Sequence, residues 1–265
     1  NNEDIHAITT DNNYNIIGVG GSFSSNLNTS ASAYQAYNDG GADVYILKLD
    51  SNCTRIFSSY LGGSGVDDAW GVTTDSFDNI YLSGHTTSFD FDTTVSAYQT
   101  TKLGSLSDWY LTKWSSTGIL QYSTLYGGAN NDLLARMAFV APDKILLIGK
   151  SESTDIPVLG TNNQTTLSGN YDGFLVLFDI NSMFPFWSSY YGGSLEEDPL
   201  DIVCNSVSSV IFVGNTNSTN YPISASPYQS SLNMSNDGFI TKLSHQNLIP
   251  TTIDESFFNS STILF

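Results

Sequence analysis

Carboxylates recur beside glycine pairs in this chain. Asp67 and Asp68 follow Gly62-Gly63, Asp132 follows Gly127-Gly128, and Glu197 and Asp198 follow Gly192-Gly193; Glu3 and Asp4 open the chain. Grouped carboxylates supply the hard oxygen ligands that Ca²⁺ requires, and acceptors for sugar hydroxyls. An aspartate beside a glycine turn also accepts backbone N–H bonds and fixes its loop, and that structural role is the simpler reading. Asp67, Asp68, Asp132, Glu197 and Asp198 are thus the candidate ligand-binding residues. No cofactor is expected, with Ca²⁺ as the alternative, although no loop has the EF-hand pattern. A glycosidase-type pair such as Asp68 with Asp198 needs its carboxyls ~5–9 Å apart, a separation that no spacing here specifies.

Other catalytic chemistry finds no support. His6, His85 and His245 stand in different contexts without metal-ligand spacing. Gly62-Gly63-Ser64-Gly65 is a turn rather than a nucleophile elbow, and Gly18-Val-Gly20-Gly21 lacks the third glycine of a dinucleotide loop. The Phe89-Asp-Phe-Asp92 segment reads as an insertion that decorates a loop. An enzyme is not expected. Among the 8 basic residues, Lys48, Lys113 and Lys242 share one equivalent position, where the third copy has Leu177. Ion pairs with repeat aspartates explain them better than catalysis. Leu177 then predicts that a carboxylate of the third copy has lost its partner or moved to water.

These residues are positioned by a repeat of about 65 residues present four times. Asp43-Val-Tyr-Ile-Leu-Lys-Leu returns as Asp108-Trp-Tyr-Leu-Thr-Lys-Trp, Asp172-Gly-Phe-Leu-Val-Leu-Phe and Asp237-Gly-Phe-Ile-Thr-Lys-Leu. Ile16, Ile80, Ile145 and Val210 each precede a glycine, Gly20, Gly84, Gly149 and Gly214, by the same distance. Ala33-Tyr34-Gln35 returns as Ala97-Tyr98-Gln99 and Pro227-Tyr228-Gln229 and is absent from the third copy. In the second copy the strands read as A (69–74), B (79–83), C (109–114) and D (120–126), bounded by turn residues. Strand B is apolar on both faces, with Ile80 and Leu82 on one and Tyr81 on the other, as a sheet stacked between sheets requires. Four-stranded units at fixed period predict an all-β fold, a β-propeller of four-stranded antiparallel blades. Four blades match the repeat count, and part of a larger ring completed by another chain is the alternative. The domain runs 1–253, with repeats at about 1–59, 60–124, 125–189 and 190–253. Strand D of the last copy is expected within 248–253, and 254–265 reads as an apolar tail.

The repeat resembles the SBBP β-propeller repeat of bacterial and archaeal proteins. The resemblance rests on Tyr-x-Gly-Gly-Ser with acidic residues after it, then Asn-Ile-Tyr-Leu-x-Gly-x-Thr-x-Ser, Ala-Tyr-Gln and Asp-x-Tyr-Leu-x-Lys. It extends from Glu3 to about Thr252. It implies blade architecture and a place in an extracellular or cell-surface protein, and it implies no chemistry. The family's name implies seven blades, whereas four copies are present here.

In such blades the D–A and B–C connections share one face, which here is long-looped and acidic, so any binding is expected there. Six Asn-x-Ser/Thr sequons make Asn28, Asn52, Asn163, Asn217, Asn233 and Asn259 candidates for glycosylation, and four of them fall in B–C loops. Cys53 and Cys204 are expected as free thiols, the second buried as a small hydrophobe: their places in a four-bladed ring lie ~14 Å apart, beyond the ~7 Å a disulfide spans. With 8 Lys+Arg against 26 Asp+Glu in 265 residues, the formal charge is −18, which repels nucleic acid and anionic membranes. No stretch approaches the ~18 apolar residues of a membrane span. The expected function is a non-enzymatic extracellular structural or adhesive module, or a subunit of a surface layer or filament. Its expected partners are further copies, other surface proteins or glycans. A lectin-like or Ca²⁺-dependent binding propeller is the alternative, and a polysaccharide-acting enzyme the least favoured.

Overall fold

The computed structural model describes residues 3–140, 142–160, 164–206, 209–224, 229, 231–232, 235–244 and 259–264, with the backbone alone at 205–206, 244 and 259–264. Sixteen strands and no helix occur among them. The first sheet contains β1 (Ala7–Thr10), β2 (Ile16–Ser22), β3 (Asp43–Leu49) and β4 (Arg55–Leu61). The second contains β5 (Asp67–Thr74), β6 (Ile80–Thr86), β7 (Asp108–Trp114) and β8 (Leu120–Tyr126). The third contains β9 (Asp132–Val140), β10 (Lys144–Ser151), β11 (Asp172–Asp179) and β12 (Phe184–Tyr191). The fourth contains β13 (Glu197–Ser206), β14 (Ser209–Thr216), β15 (Asp237–Ser244) and β16 (Asn259–Leu264). In each sheet hydrogen-bonded neighbours are sequence neighbours, so all four are four-stranded meanders of the propeller-blade kind.

The outer strand of the fourth sheet corrects the sequence reading. It is β16, which lies within 254–265, so Asn259–Leu264 complete a blade rather than trail from it. The segment 248–253 lies outside the described residues. The open edge of β15 needs a partner for its backbone groups, and Ser-Thr-Ile-Leu is the next β-prone run.

Two compact units divide the chain, Asn1–Ala135 and Arg136–Phe265. In the first, Ile17, Val19, Val44 and Ile46 pack with Val72, Ile80, Leu82 and Trp114, so the first two sheets share one core. In the second, Leu146, Ile148, Leu175 and Leu177 pack with Phe212, Phe239 and Leu243, joining the third and fourth sheets likewise. The central strand β6 is buried on both faces, with Ile80, Tyr81 and Leu82 all fully inaccessible. Cys204 packs half-buried against the second core, and Cys53 is exposed; neither forms a disulfide.

Hairpin geometry follows from aspartates at the turns. Asp11 Oδ1 accepts from the amides of Asn13 and Asn15, and Asp75 Oδ1 from those of Phe77 and Asn79. Asp50 Oδ1 does the same for Asn52 and Thr54 at a C–D turn. The turns close through residues in the left-handed region, Tyr14, Asp78 and Cys53, at φ near 60°. The glycines that follow Ile16, Ile80 and Val210 serve strand crowding rather than turning. A methyl on Gly84 would meet the Asp68 carbonyl oxygen at 1.8 Å, and one on Gly20 the Asp4 carbonyl oxygen at 1.9 Å. Strand A bulges beside this contact in the second and fourth sheets, between Ala69 and Gly71 and between Pro199 and Asp201.

Candidate functional site

The repeated carboxylates are drawn into the turns. Asp67, Asp132 and Glu197 are wholly buried. Each accepts the amide of the second glycine in its pair, from Gly63 at 2.7 Å, Gly128 at 2.8 Å and Gly193 at 2.8 Å. Ser88 Oγ also donates to Asp67 at 2.7 Å and Thr216 Oγ1 to Glu197 at 2.7 Å. Ser24 donates to Glu3 in the same way. Burial pushes the carboxyls of Asp67 and Glu197 up against these hydrogen bonds, which favour the charged form. Three of the five candidate ligand residues thus hold loops together.

A second clamp escaped the sequence reading. The glutamine side chains of Gln35, Gln99, Gln164 and Gln229 donate to the first aspartate of strand C, to Asp43 at 2.5 Å, Asp108 at 2.8 Å, Asp172 at 2.5 Å and Asp237 at 2.5 Å. The carbonyl ends of the first three accept from the first glycine of the pair, Gly62, Gly127 and Gly192. The third copy therefore keeps the glutamine of the Ala-Tyr-Gln landmark and lacks only the two residues before it. The two clamps meet at Gly62, where a methyl group would stand 2.7 Å from both Asp43 Cγ and Asp67 Oδ2. Burial, with Asp67 close by, pushes the Asp43 carboxyl up to about 6, although the Asp39 amide and Gln35 favour its charged form.

The lysine expectation holds in one copy and changes in another. Lys48 Nζ lies 2.8 Å from Asp11 Oδ2 with both side chains buried, and it donates to the Ser116 carbonyl. Burial opposes ionisation of Asp11, but hydrogen bonds from Lys48 and Asn15 prevail and hold its carboxyl at about 2. Among the described residues Lys113 and Lys242 have no carboxylate within ion-pair distance, and Lys113 lies over the Tyr81 ring. Leu177 leaves no orphaned carboxylate. The place of Asp11 and Asp75, five residues before the Ile landmark, is Val140 in that copy, and Val140 and Leu177 share one apolar core. Lys144 instead bridges Asp143 and Asp179, at 2.5 and 2.8 Å.

Asp68 and Asp198, the remaining candidates, take different basic partners. His6 Nδ1 lies 3.1 Å from Asp68 Oδ1, and its ring stacks on Trp70. Lys150 Nζ lies 3.2 Å from Asp198 Oδ1 and 3.3 Å from Glu196 Oε1. Burial opposes the Lys150 charge, and these two carboxylates outweigh it, so its ammonium is held above the usual range. Beside this group opens a recess of about 120 Å³ lined by Glu196, Asp198, Asn215, Asn217 and Asn236. Asp198 and Asn215 face each other across β13 and β14. Of the candidate residues, Asp198 and the sequon residue Asn217 come together here. Asn215 and Asn236 were legible only as departures from the repeat. Among the described residues no group of three or more His, Cys, Asp or Glu side chains is placed to hold a metal ion.

Phe89-Asp-Phe-Asp92 is a regular part of the repeat and not an insertion. Residues 86–91, Thr-Thr-Ser-Phe-Asp-Phe, match 216–221, Thr-Asn-Ser-Thr-Asn-Tyr. Asp90 accepts from Ser64 as Asn220 does from Ser194, and Phe91 stacks on Tyr110 as Tyr221 does on Phe239. The sequon residues Asn28 and Asn52 are exposed and Asn217 is half-buried. Asn163 and Asn233 lie outside the described residues, as do the side chain of Asn259 and all of His245.

Four meandering sheets with recurrent glycine-pair clamps define an all-β protein of propeller blades. Residues 56–92 match the family model of the SBBP β-propeller repeat, from β4 through the glycine pair to the loop after β6. No curated protein matches the chain.

Proposed function

We propose that this chain is a non-enzymatic extracellular module with a structural or adhesive role, serving in a surface layer, a filament or a larger exported protein. One observation carries the reading. The residues that recur in every copy are consumed by folding: Asp67, Asp132 and Glu197 are wholly buried on glycine amides, and the four glutamines clamp strand C. A repeat whose buried polar landmarks serve its own loops multiplies a scaffold rather than a reaction centre. The acidity, the scarcity of charged side chains and the exposed sequon residues Asn28 and Asn52 accord with a secreted surface protein. Light scattering of the purified chain, with immunogold labelling of its source cells, tests the reading. Label at the cell surface and concentration-dependent association are expected. Intracellular label on a strictly monomeric chain would refute it.

A further inference from the structure

The recess in the fourth blade breaks the repeat, and the break has a chemical direction. At the position of Asn215, five residues after the landmark, the earlier copies carry Gly21, His85 and Lys150; before the strand C aspartate, where Asn236 stands, they carry Ala42, Ser107 and Tyr171. In the third copy the equivalent space is filled: Lys150 lies over the Tyr171 ring, and the Tyr171 hydroxyl donates to Glu152 at 3.0 Å. Among the described residues the fourth copy has no aromatic or basic side chain of its own there, and the recess opens instead.

Its lining is poised for hydrogen bonding. Among the described residues, the side-chain amides of Asn215, Asn217 and Asn236 make no internal hydrogen bond, whereas asparagines elsewhere, such as Asn12 and Asn38, are engaged at 2.8–3.2 Å. Each amide presents both a donor and an acceptor. Glu196 and Asp198 add acceptors, and each has one oxygen turned to Lys150. Two carboxylates and three amide oxygens would also suit a hard cation, but the Lys150 ammonium already occupies the position from which a cation would neutralise both carboxylates. The recess offers room for several waters and, among the described residues, no aromatic face. A small neutral molecule carrying adjacent hydroxyls matches donors, acceptors and size together.

We infer that the recess bounded by Glu196, Asp198, Asn215, Asn217 and Asn236 binds a neutral sugar residue or polyol through its hydroxyl groups. Binding there is independent of whether the chain assembles or where it is located.

Ligand-observed NMR and calorimetry on the full chain, produced without glycosylation, test the site with glucose, galactose, mannose, N-acetylglucosamine and glycerol, and separately with CaCl₂. Saturable binding of at least one hydroxyl compound is expected, weakened about fivefold by Asn236→Ala and again by Asn217→Ala, in line with one hydrogen bond each. Asn236 is exposed and Asn217 half-buried, and an unchanged melting temperature verifies that the variants fold. Silence across the whole hydroxyl panel overturns the inference, as does binding that neither substitution weakens. Calcium binding without sugar binding overturns it in favour of a cation site, and Lys150→Met should then strengthen that binding.

Discussion

Lys48 and Asp11 are almost completely withdrawn from water, and their contact at 2.8 Å is what makes both charges tolerable. Removing one member of such a pair strands the other and costs about 3–5 kcal/mol, whereas replacing both with well-packed apolar groups is often neutral. The molecule contains its own control, since Val140 and Leu177 occupy the two corresponding places in the third blade. Lys48→Leu alone should therefore destabilise the chain by about 3–5 kcal/mol. Adding Asp11→Asn, which removes the stranded charge but keeps an oxygen for the Asn13 and Asn15 amides, should recover most of that loss in urea denaturation; a double variant no better than the single would mean that the Ser116 carbonyl, rather than Asp11, is what Lys48 serves. A second residue-scale expectation concerns Gln164, which satisfies both the Gly192 amide and Asp172. Gln164→Ala leaves a buried donor and a buried carboxylate without that partner and should cost about 1–3 kcal/mol by the same measurement.

At the scale of strands and sheets, the glycine-pair junction at Gly62 gathers the carboxyls of Asp43 and Asp67. Asp43 faces Asp67 and Asp39, with Gln35 as its neutral partner, and its carboxyl is pushed up to about 6. Asp67, Asp172 and Glu197 are also raised, by burial first. A carboxyl with a raised folded pKa binds its proton more tightly in the native state, so its contribution to stability is greatest at low pH and is lost as pH rises, for Asp43 from about 4 to about 6. His85 works in the opposite direction: burial, then His6, lowers its pKa to about 4, so its neutral form favours folding as pH rises over the same interval. Asp43→Asn isolates the first effect, because an amide imitates the protonated acid and can donate toward Asp67. Thermal melts from pH 4 to 7 should show the variant gaining on the parent chain as pH rises; parallel curves would mean that Asp43 titrates normally. How much of this architecture was legible in the sequence depended on spacing. Strand order, the glycine pairs and the turn-fixing role of Asp67 follow from landmarks repeated in one register. Gln164 was hidden because only its two preceding neighbours mark the motif, and Val140 because a lost aspartate is visible only when aligned with the loss of a lysine. The recess was hidden for a related reason: Asn215 and Asn236 look like ordinary loop residues until the side chains that fill the same space in the third blade are known. The place of β16 depended on which of two weak apolar runs pairs with β15, and hydrogen bonding, not composition, decides that.

For the whole molecule the dominant quantity is its charge of −18, spread over a chain with only 8 basic residues, several of them committed inward. Lys48 and Lys102 are buried, Lys102 donating to the Gly104 carbonyl and lying over the Phe89 ring; Lys144 and Lys150 are bound to carboxylates. The cations available to solvent are therefore fewer than the formal count, and two copies approaching each other meet mainly negative charge. At low ionic strength that repulsion reaches across the gap, and at ~0.1 M salt it is screened beyond about 10 Å. If copies associate through their blades, association must be favoured by salt. Raising NaCl from ~10 mM to ~0.5 M should lower the concentration at which light scattering detects assemblies. Attraction between opposite charges would show the reverse trend, with assemblies dissolving as salt is added, and would place the contact at one of the few exposed cations, such as Arg55. An exposed basic residue is easily removed, so Arg55→Gln separates the two cases: it should leave salt-promoted association intact and abolish association that depends on its charge.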